Sequence, residues 1–281
     1  MPKVDKVPEH LKPYLNHGLD LQWWSGDKEA TCECPFCGRS KFSVNCETGL
    51  WKCWICAEGT ERGGGNARVF IRVLHEMSYA QPQDYSDLSA NRKLLNGVAL
   101  ALWGCCRSII SGEWLVPGYG IDGSLNQLYR YSKAGERMIL MPTTSLGQYI
   151  FGMDQFDPSK STIDLCEGYW DGVAWWERLA QTKSTDEGLQ LTGNIEASLL
   201  ADRNVLAVPG CSIFREDWTP LFAGKTVNLL YDNDHPGTHP KTGQPTPPGA
   251  LTNMQRVAGI LSGSKEPPAE IHFLKWGQDV L

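Results

Sequence analysis

Residues 162–171 read Thr-Ile-Asp-Leu-Cys-Glu-Gly-Tyr-Trp-Asp, and residues 226–234 read Thr-Val-Asn-Leu-Leu-Tyr-Asp-Asn-Asp. Each opens as a short β-type run and then breaks into acid. The surrounding chain alternates in the same way. Strands are predicted at 162–166, 205–208, 226–231 and 270–274, and helices at about 170–180, 213–222 and 250–262. Such alternation predicts a parallel sheet covered by helices. In an open α/β sheet the carboxyl ends of the strands share one edge, and ligands bind there. Glu167, Asp171, Asp232 and Asp234 therefore converge on that edge although they are distant in sequence.

Three or four gathered carboxylates repel one another unless a cation neutralises them, and hard oxygen donors suit Mg²⁺ or Mn²⁺. Alternation in Asp232-Asn233-Asp234 points both carboxylates to one side. A lone Asp-x-Asp is common in turns and helix caps; two acidic motifs placed alike on separate strands are far more specific. Glu167, Asp232 and Asp234 are the predicted metal ligands, whereas Asp171 either joins them or orients its own helix. His235 and His239 read as loop histidines close to this edge.

Upstream the texture differs. From Glu113 onward, β-type runs at Trp114–Val116 and Leu125–Tyr131 are separated by Pro117-Gly118-Tyr119-Gly120 and Asp122-Gly123, which predicts a hairpin-rich sheet. Residues 66–77 place Val69, Val73 and Met77, with Phe70 and Leu74, at helical spacing. Residues 81–84 read as a linker and 91–110 as a small helical segment. Residues 182–203 and 235–249 read as insertions.

Six of the ten cysteines fall between positions 32 and 56. Cys34-x2-Cys37 and Cys53-x2-Cys56 are separated by 15 residues, the two-knuckle spacing of a zinc ribbon. Each turn aims two thiolates at one point, and two turns complete a tetrahedral sulfur shell. One structural Zn²⁺ is predicted, because a closed shell leaves no open coordination position. Cys32 and Cys46 are surplus to it and read as packing or surface residues. Lys41, Trp51, Lys52 and Trp54 interleave cation and ring along this ribbon. Such rings serve either as stacking platforms for unstacked bases or as cover for a small core.

The 281 residues carry 26 Lys and Arg against 32 Asp and Glu, a net charge of −6, so nucleic acid must be gripped by local patches or through metal ions. With 41% apolar residues and 11 tryptophans, the chain can bury a core, which excludes a disordered chain or a small disulfide scaffold. The N-terminal run of charge and proline is unlike a secretory signal, and the longest apolar stretch, 94–103, is too short to span a bilayer. A cytoplasmic, reducing setting and no membrane partner are expected.

Taken in order, the four-cysteine ribbon ending in Trp51-Lys52-Cys53-Trp54-Ile55-Cys56, then Glu167-Gly168-Tyr169-Trp170-Asp171, then Asp232-Asn233-Asp234-His235-Pro236-Gly237, resemble the bacterial and phage DNA primases. The two acidic motifs are similar to the signature of the TOPRIM fold, and the long-gapped ribbon ahead of them selects primase. Pro236 and the insertion after Gly237 depart from the family pattern. The resemblance implies an α/β chain, α+β overall. Its parts would be an N-terminal lead (1–30), a zinc ribbon (31–80), a linker with a helical segment (81–112), the N-terminal part of an RNA polymerase domain (113–160) and a TOPRIM domain (161–281).

The same resemblance implies synthesis of short RNA primers on a single-stranded DNA template from NTPs, with two Mg²⁺ or Mn²⁺ ions. It adds Asp279 to Glu167, Asp171, Asp232 and Asp234 as a catalytic acid. Arg130, Lys133 and Arg137 become cations for phosphate or template, alongside Lys41, Trp51 and Lys52. A replicative helicase, in cis or in trans, is the implied partner. A TOPRIM nuclease would keep the carboxylates but lack the ribbon. A non-catalytic TOPRIM and zinc DNA-binding protein would have a shorter cysteine gap.

Overall fold

The cysteine-rich segment alternates short β-type runs with tight turns, and it folds as strands β1 (Glu29–Cys32), β2 (Phe42–Asn45), β3 (Trp51–Cys53) and β4 (Gly64–Gly65), adjacent in that order and antiparallel. The structure, a computed structural model, describes residues 7–24, 26–57, 63–91, 97–134, 137–144, 147–185, 188–191, 198–210, 212–231, 237–238, 245–246 and 249–274. Of Lys133 and Arg137 it describes the backbone alone.

A short helix α1 (Lys12–Leu15) precedes the ribbon and α2 (Ala67–Tyr79) follows it. Asn66 sets the start of α2: its side-chain oxygen accepts from the N–H groups of Arg68 and Val69 at 3.0 and 3.2 Å, satisfying two donors that the first turn leaves over. The helix buries Phe70, Val73 and Leu74 of the face predicted from spacing, with Val69 and Met77 partly buried, and it buries Ile71 as well. A second sheet follows in the order β5 (Cys106–Arg107), β6 (Trp114–Tyr119), β7 (Leu125–Ala134) and β8 (Arg137–Pro142).

One hydrophobic core joins these parts. Tyr14, Phe42, Trp51, Phe70, Ile71 and Leu74 pack in the same cluster as Cys106, Leu115 and Leu128 of the second sheet. The first compact unit accordingly gathers Met1–Asp84, Gly104–Gly118 and Leu125–Gln148. The ribbon and the second sheet thus share one core. A four-strand ribbon buries too little by itself, and α2 supplies both sheets with a common apolar face. The expected helical segment at 91–110 is shorter, since Cys106–Arg107 pairs antiparallel with Trp114–Leu115 as a strand.

The second unit comprises Tyr85–Trp103, Tyr119–Ser124 and Tyr149–Leu281. It begins with two short helices, α3 (Ser86–Asn91) and α4 (Gly97–Leu102). It continues with β9 (Thr162–Cys166), α5 (Tyr169–Ala180), the hairpin β10 (Thr182–Thr185) and β11 (Gly188–Leu191), β12 (Arg203–Ala207) and β13 (Thr226–Leu230). A small pairing of β14 (Gly237–Thr238) with β15 (Pro245–Thr246) lies in the second insertion, and α6 (Gly249–Ser262) leads to β16 (Glu270–Leu274). β12, β9, β13 and β16 form one parallel sheet in that order, as expected. The central strand β9 is buried throughout and the edge strand β16 is largely exposed. The helix expected at 213–222 is instead a 3₁₀ helix, Glu216–Phe222, with Pro220 inside it, a residue that cannot donate to an α-helical ladder.

Candidate functional site

Among the described residues one group of metal-binding side chains is assembled, in the first unit; in the second, Glu167 and Asp171 leave one strand of the parallel sheet. In the first, the Sγ atoms of Cys34, Cys37, Cys53 and Cys56 all lie within 4.8 Å of one another, with Cys34–Cys56 at 3.8 Å and Cys37–Cys53 at 3.7 Å. A tetrahedron with Zn–S bonds of about 2.3 Å has edges of about 3.8 Å, so the four sulfurs fit zinc. Local folding sets the geometry. The knuckles close through Gly38 N–H to Cys34 C=O and Ala57 N–H to Cys53 C=O, and the Cys56 amide donates to the Cys53 sulfur at 3.5 Å. Burial pushes the Cys34 thiol well up and that of Cys56 to about 12, so as thiolates both need the charge of a cation. Cys32 and Cys46 stand outside the four, as expected.

In the second unit the strand order decides the site. β9 has β12 on one side and β13 on the other, so the direction of winding reverses beside β9, and open α/β sheets bind ligands at the carboxyl ends of the strands at such a point. Glu167 is the first residue beyond β9. Its amide donates to the Leu230 carbonyl at 3.1 Å, while the Cys166 carbonyl accepts from Val208 at 3.1 Å. The β9 exit is thus bonded on both sides just where its acid begins, and it runs beside the last residue of β13. Asp171 sits in the first turn of α5, a favourable place for a carboxylate near the helix's positive end. Gly168 between them leaves room for that carboxylate: a Cβ there would stand 2.8 Å from Asp171 Oδ2 and would turn the side chain aside. Asp232 and Asp234, with Asp279, His235 and His239, lie outside the described residues.

The other expected site residues are scattered. Arg130 is half-buried and its Nη1 donates to Glu113 Oε2 at 2.8 Å, while Ser132 Oγ donates to Glu113 Oε1 at 2.5 Å. Lys133 and Arg137 flank the β7–β8 turn, in register with Met138 and Ala134. Lys41 and Lys52 are exposed, and Lys52 Nζ sits 3.4 Å over the exposed Trp54 ring. Trp51 is a correction. It is 2% exposed, stacked on Phe42 and edge-on to Phe36 and Phe70, so its faces belong to the core.

Sequence reading passed over Asp164, which is fully buried in the middle of β9. A carboxylate inside an otherwise apolar strand was the available signal.

No family model and no curated protein matches the chain. Solved structures do. The zinc-binding and RNA polymerase domains of Aquifex aeolicus primase align over 96% of this chain and 79% of theirs at 13% identity, TM-score 0.44. The primase fragment of the bacteriophage T7 primase-helicase aligns over 86% and 88% at 13% identity, TM-score 0.42. The RNA polymerase domain of Mycobacterium tuberculosis DnaG aligns over 72% of each chain at 11% identity, TM-score 0.45. The aligned structures are bacterial and phage primases, and the chain itself holds a four-cysteine cluster.

Proposed function

We propose that the chain is a DNA primase, a nucleotidyltransferase that makes short RNA primers on single-stranded DNA. The observation that carries this reading is the bond from Glu167 N–H to Leu230 C=O at the reversal point of the parallel sheet. It sets the first acid beside the strand whose sequence continues into Asp232-Asn233-Asp234.

Glu167, Asp232 and Asp234 would hold Mg²⁺ or Mn²⁺, with Asp279 completing the ligand set. Bound there, the ions supply Lewis-acid charge for joining a 3′-hydroxyl to an NTP α-phosphate with loss of pyrophosphate. The protein's part is positional. Glu167 fixes an acceptor at the strand exit, Asp171 lies over Gly168 one turn into α5, and no side chain needs to become a covalent intermediate. Arg130, Lys133 and Arg137, with Lys41 and Lys52, contribute cations to template or nucleotide phosphates, and Trp54 takes over the base-stacking role first assigned to Trp51. Arg130 must exchange its Glu113 pairing for phosphate when it does so. The zinc centre orders the ribbon that carries Lys41, Lys52 and Trp54. A replicative helicase, in cis or in trans, is the partner that fits, in a bacterial or phage-infected cytoplasm.

The test is incubation of the purified chain with single-stranded DNA of varied sequence, Mg²⁺ and labelled NTPs, with products read by length on a gel. Short RNA products that vanish in Glu167→Gln support the reading. Template shortening would make the protein a TOPRIM nuclease, and binding without either product would make it a non-catalytic DNA-binding protein.

A further inference from the structure

Asp164 has no part in the chemistry above, yet it is the most heavily engaged buried charge among the described residues of the parallel sheet. Its side chain is fully withdrawn from water. Oδ2 accepts from Trp175 Nε1 at 2.7 Å, and Oδ1 accepts from Asn228 Nδ2 at 2.6 Å. Arg203 Nη1 approaches both oxygens, at 3.3 and 3.5 Å. A carboxylate buried in an apolar strand costs several kcal/mol unless its lone pairs are filled, and here they are. With Asp164 on β9, its three partners tie in three further elements: Arg203 from β12, Asn228 from β13 and Trp175 from α5.

Three of these four elements hold or lead to the acids. Glu167 directly follows β9, α5 holds Asp171 one helical turn before Trp175, and the sequence after β13 continues to Asp232. Hydrophobic packing alone lets a helix rotate or slide on a sheet at little cost, whereas hydrogen bonds to one buried carboxylate fix both register and rotation. From this geometry we infer that Asp164 is a positioning residue: it locks β9, β13 and α5 into the one arrangement in which the acids at their ends converge. The inference rests on the reading of that edge as a metal-dependent site, and it is deeper than that reading because Asp164 touches neither metal nor substrate.

Trp175→Phe removes the helix tie and keeps the ring. Asp164→Asn is the conservative control: its amide can still accept from Trp175 and can donate to Asn228 once the Asn228 amide flips, and it gives up only the long approach of Arg203, whose side chain is 31% exposed and can turn to water. Two readouts separate positioning from mere stability. Amide hydrogen exchange at Glu167 and Gly172, whose N–H groups bond to Leu230 and Gly168, reports the order of the turn. Mn²⁺ titration reports convergence of the acids. Trp175→Phe is expected to speed exchange at those two amides and to weaken Mn²⁺ binding, each about tenfold, whereas Asp164→Asn in the otherwise wild-type protein keeps both within about threefold of wild type. A Trp175→Phe protein that is less stable but unchanged in both readouts overturns the inference. If wild type makes no primers while the amide effects appear, the primase reading falls and the positioning role stands. If wild type binds no Mn²⁺, the metal reading falls, and the amide comparison alone decides the role of Asp164.

Discussion

Trp51 of the cysteine ribbon meets Phe70 of the following helix edge-on, ring centroids 5.9 Å apart at 80°. Phe70 in turn touches Tyr14, Phe36 and Phe42, so the ribbon has no core apart from that helix. Metal loss should therefore travel. Zinc thiolate bonds contribute directly to folding free energy, and the sheet that carries Leu115 and Leu128 shares the cluster. One zinc per chain is expected, and Cys53→Ser is expected to release it and to loosen Trp51, Phe70 and the second sheet together. Metal analysis with tryptophan fluorescence checks this. A zinc-free protein, or a fluorescence change confined to the ribbon with the second sheet still protected from hydrogen exchange, would refute it.

This shared core is also where the sequence is least legible. Spacing showed the four thiols, the apolar face of α2 and all four parallel strands, because each is a local pattern. It could not decide whether Trp51 faces bases or core, since a ring on a small ribbon has to take one side or the other and the partner that settles it, Phe70, is 19 positions away. The strand Arg137–Pro142 lacks two-residue alternation and is held by pairing with Leu125–Ala134. Asp164 was hidden by the apolar run around it. Only the fold brings Trp175, Asn228 and Arg203 to it.

Trp51 and Trp54 should behave as opposites. Truncating a buried aromatic costs about 3–5 kcal/mol, so Trp51→Ala is expected to lower the melting temperature sharply. Trp54 is 59% exposed, and Trp54→Ala should leave stability within about 0.5 kcal/mol. If the exposed ring stacks on bases, the same change should weaken single-stranded DNA binding by about 1–3 kcal/mol. Thermal melts paired with fluorescence anisotropy on labelled oligonucleotides distinguish the two. Undiminished binding by Trp54→Ala removes the stacking role.

His17 should give the fold an acid-sensitive limb. The ring is fully buried against Phe70, and neither nitrogen has a hydrogen-bond partner among the described residues. Burial, and then the charge of Arg130, lowers its pKa from 6.5 to about 3. The unfolded chain thus binds this proton more readily than the folded one. The contribution to stability is complete above pH 6.5 and is lost as the pH falls from there toward 3, amounting to roughly 5 kcal/mol. Denaturant melts of wild type and His17→Leu between pH 7 and 4 should diverge, with the variant losing less stability on acidification. Parallel curves would show that His17 is not the group responsible.

Glu167→Gln tests the acid cluster in two independent ways. Gathered carboxylates repel, so neutralising one should raise, or at least preserve, the melting temperature of the metal-free protein. A cation that binds the folded state stabilises it in proportion to ln(1 + [M]/Kd), so millimolar Mg²⁺ should raise the melting temperature of wild type more than that of the variant. Primer synthesis should drop by at least about 100-fold, some 2.7 kcal/mol of transition-state stabilisation, because a neutral amide cannot balance the charge of the ions. The Leu230 carbonyl accepts from the Glu167 backbone, and that bond survives the change of side chain. The fold should therefore remain standing while activity and the Mg²⁺ response disappear together. Near-normal synthesis by Glu167→Gln would remove this residue from the catalytic set, and an unchanged Mg²⁺ shift would place the ion elsewhere.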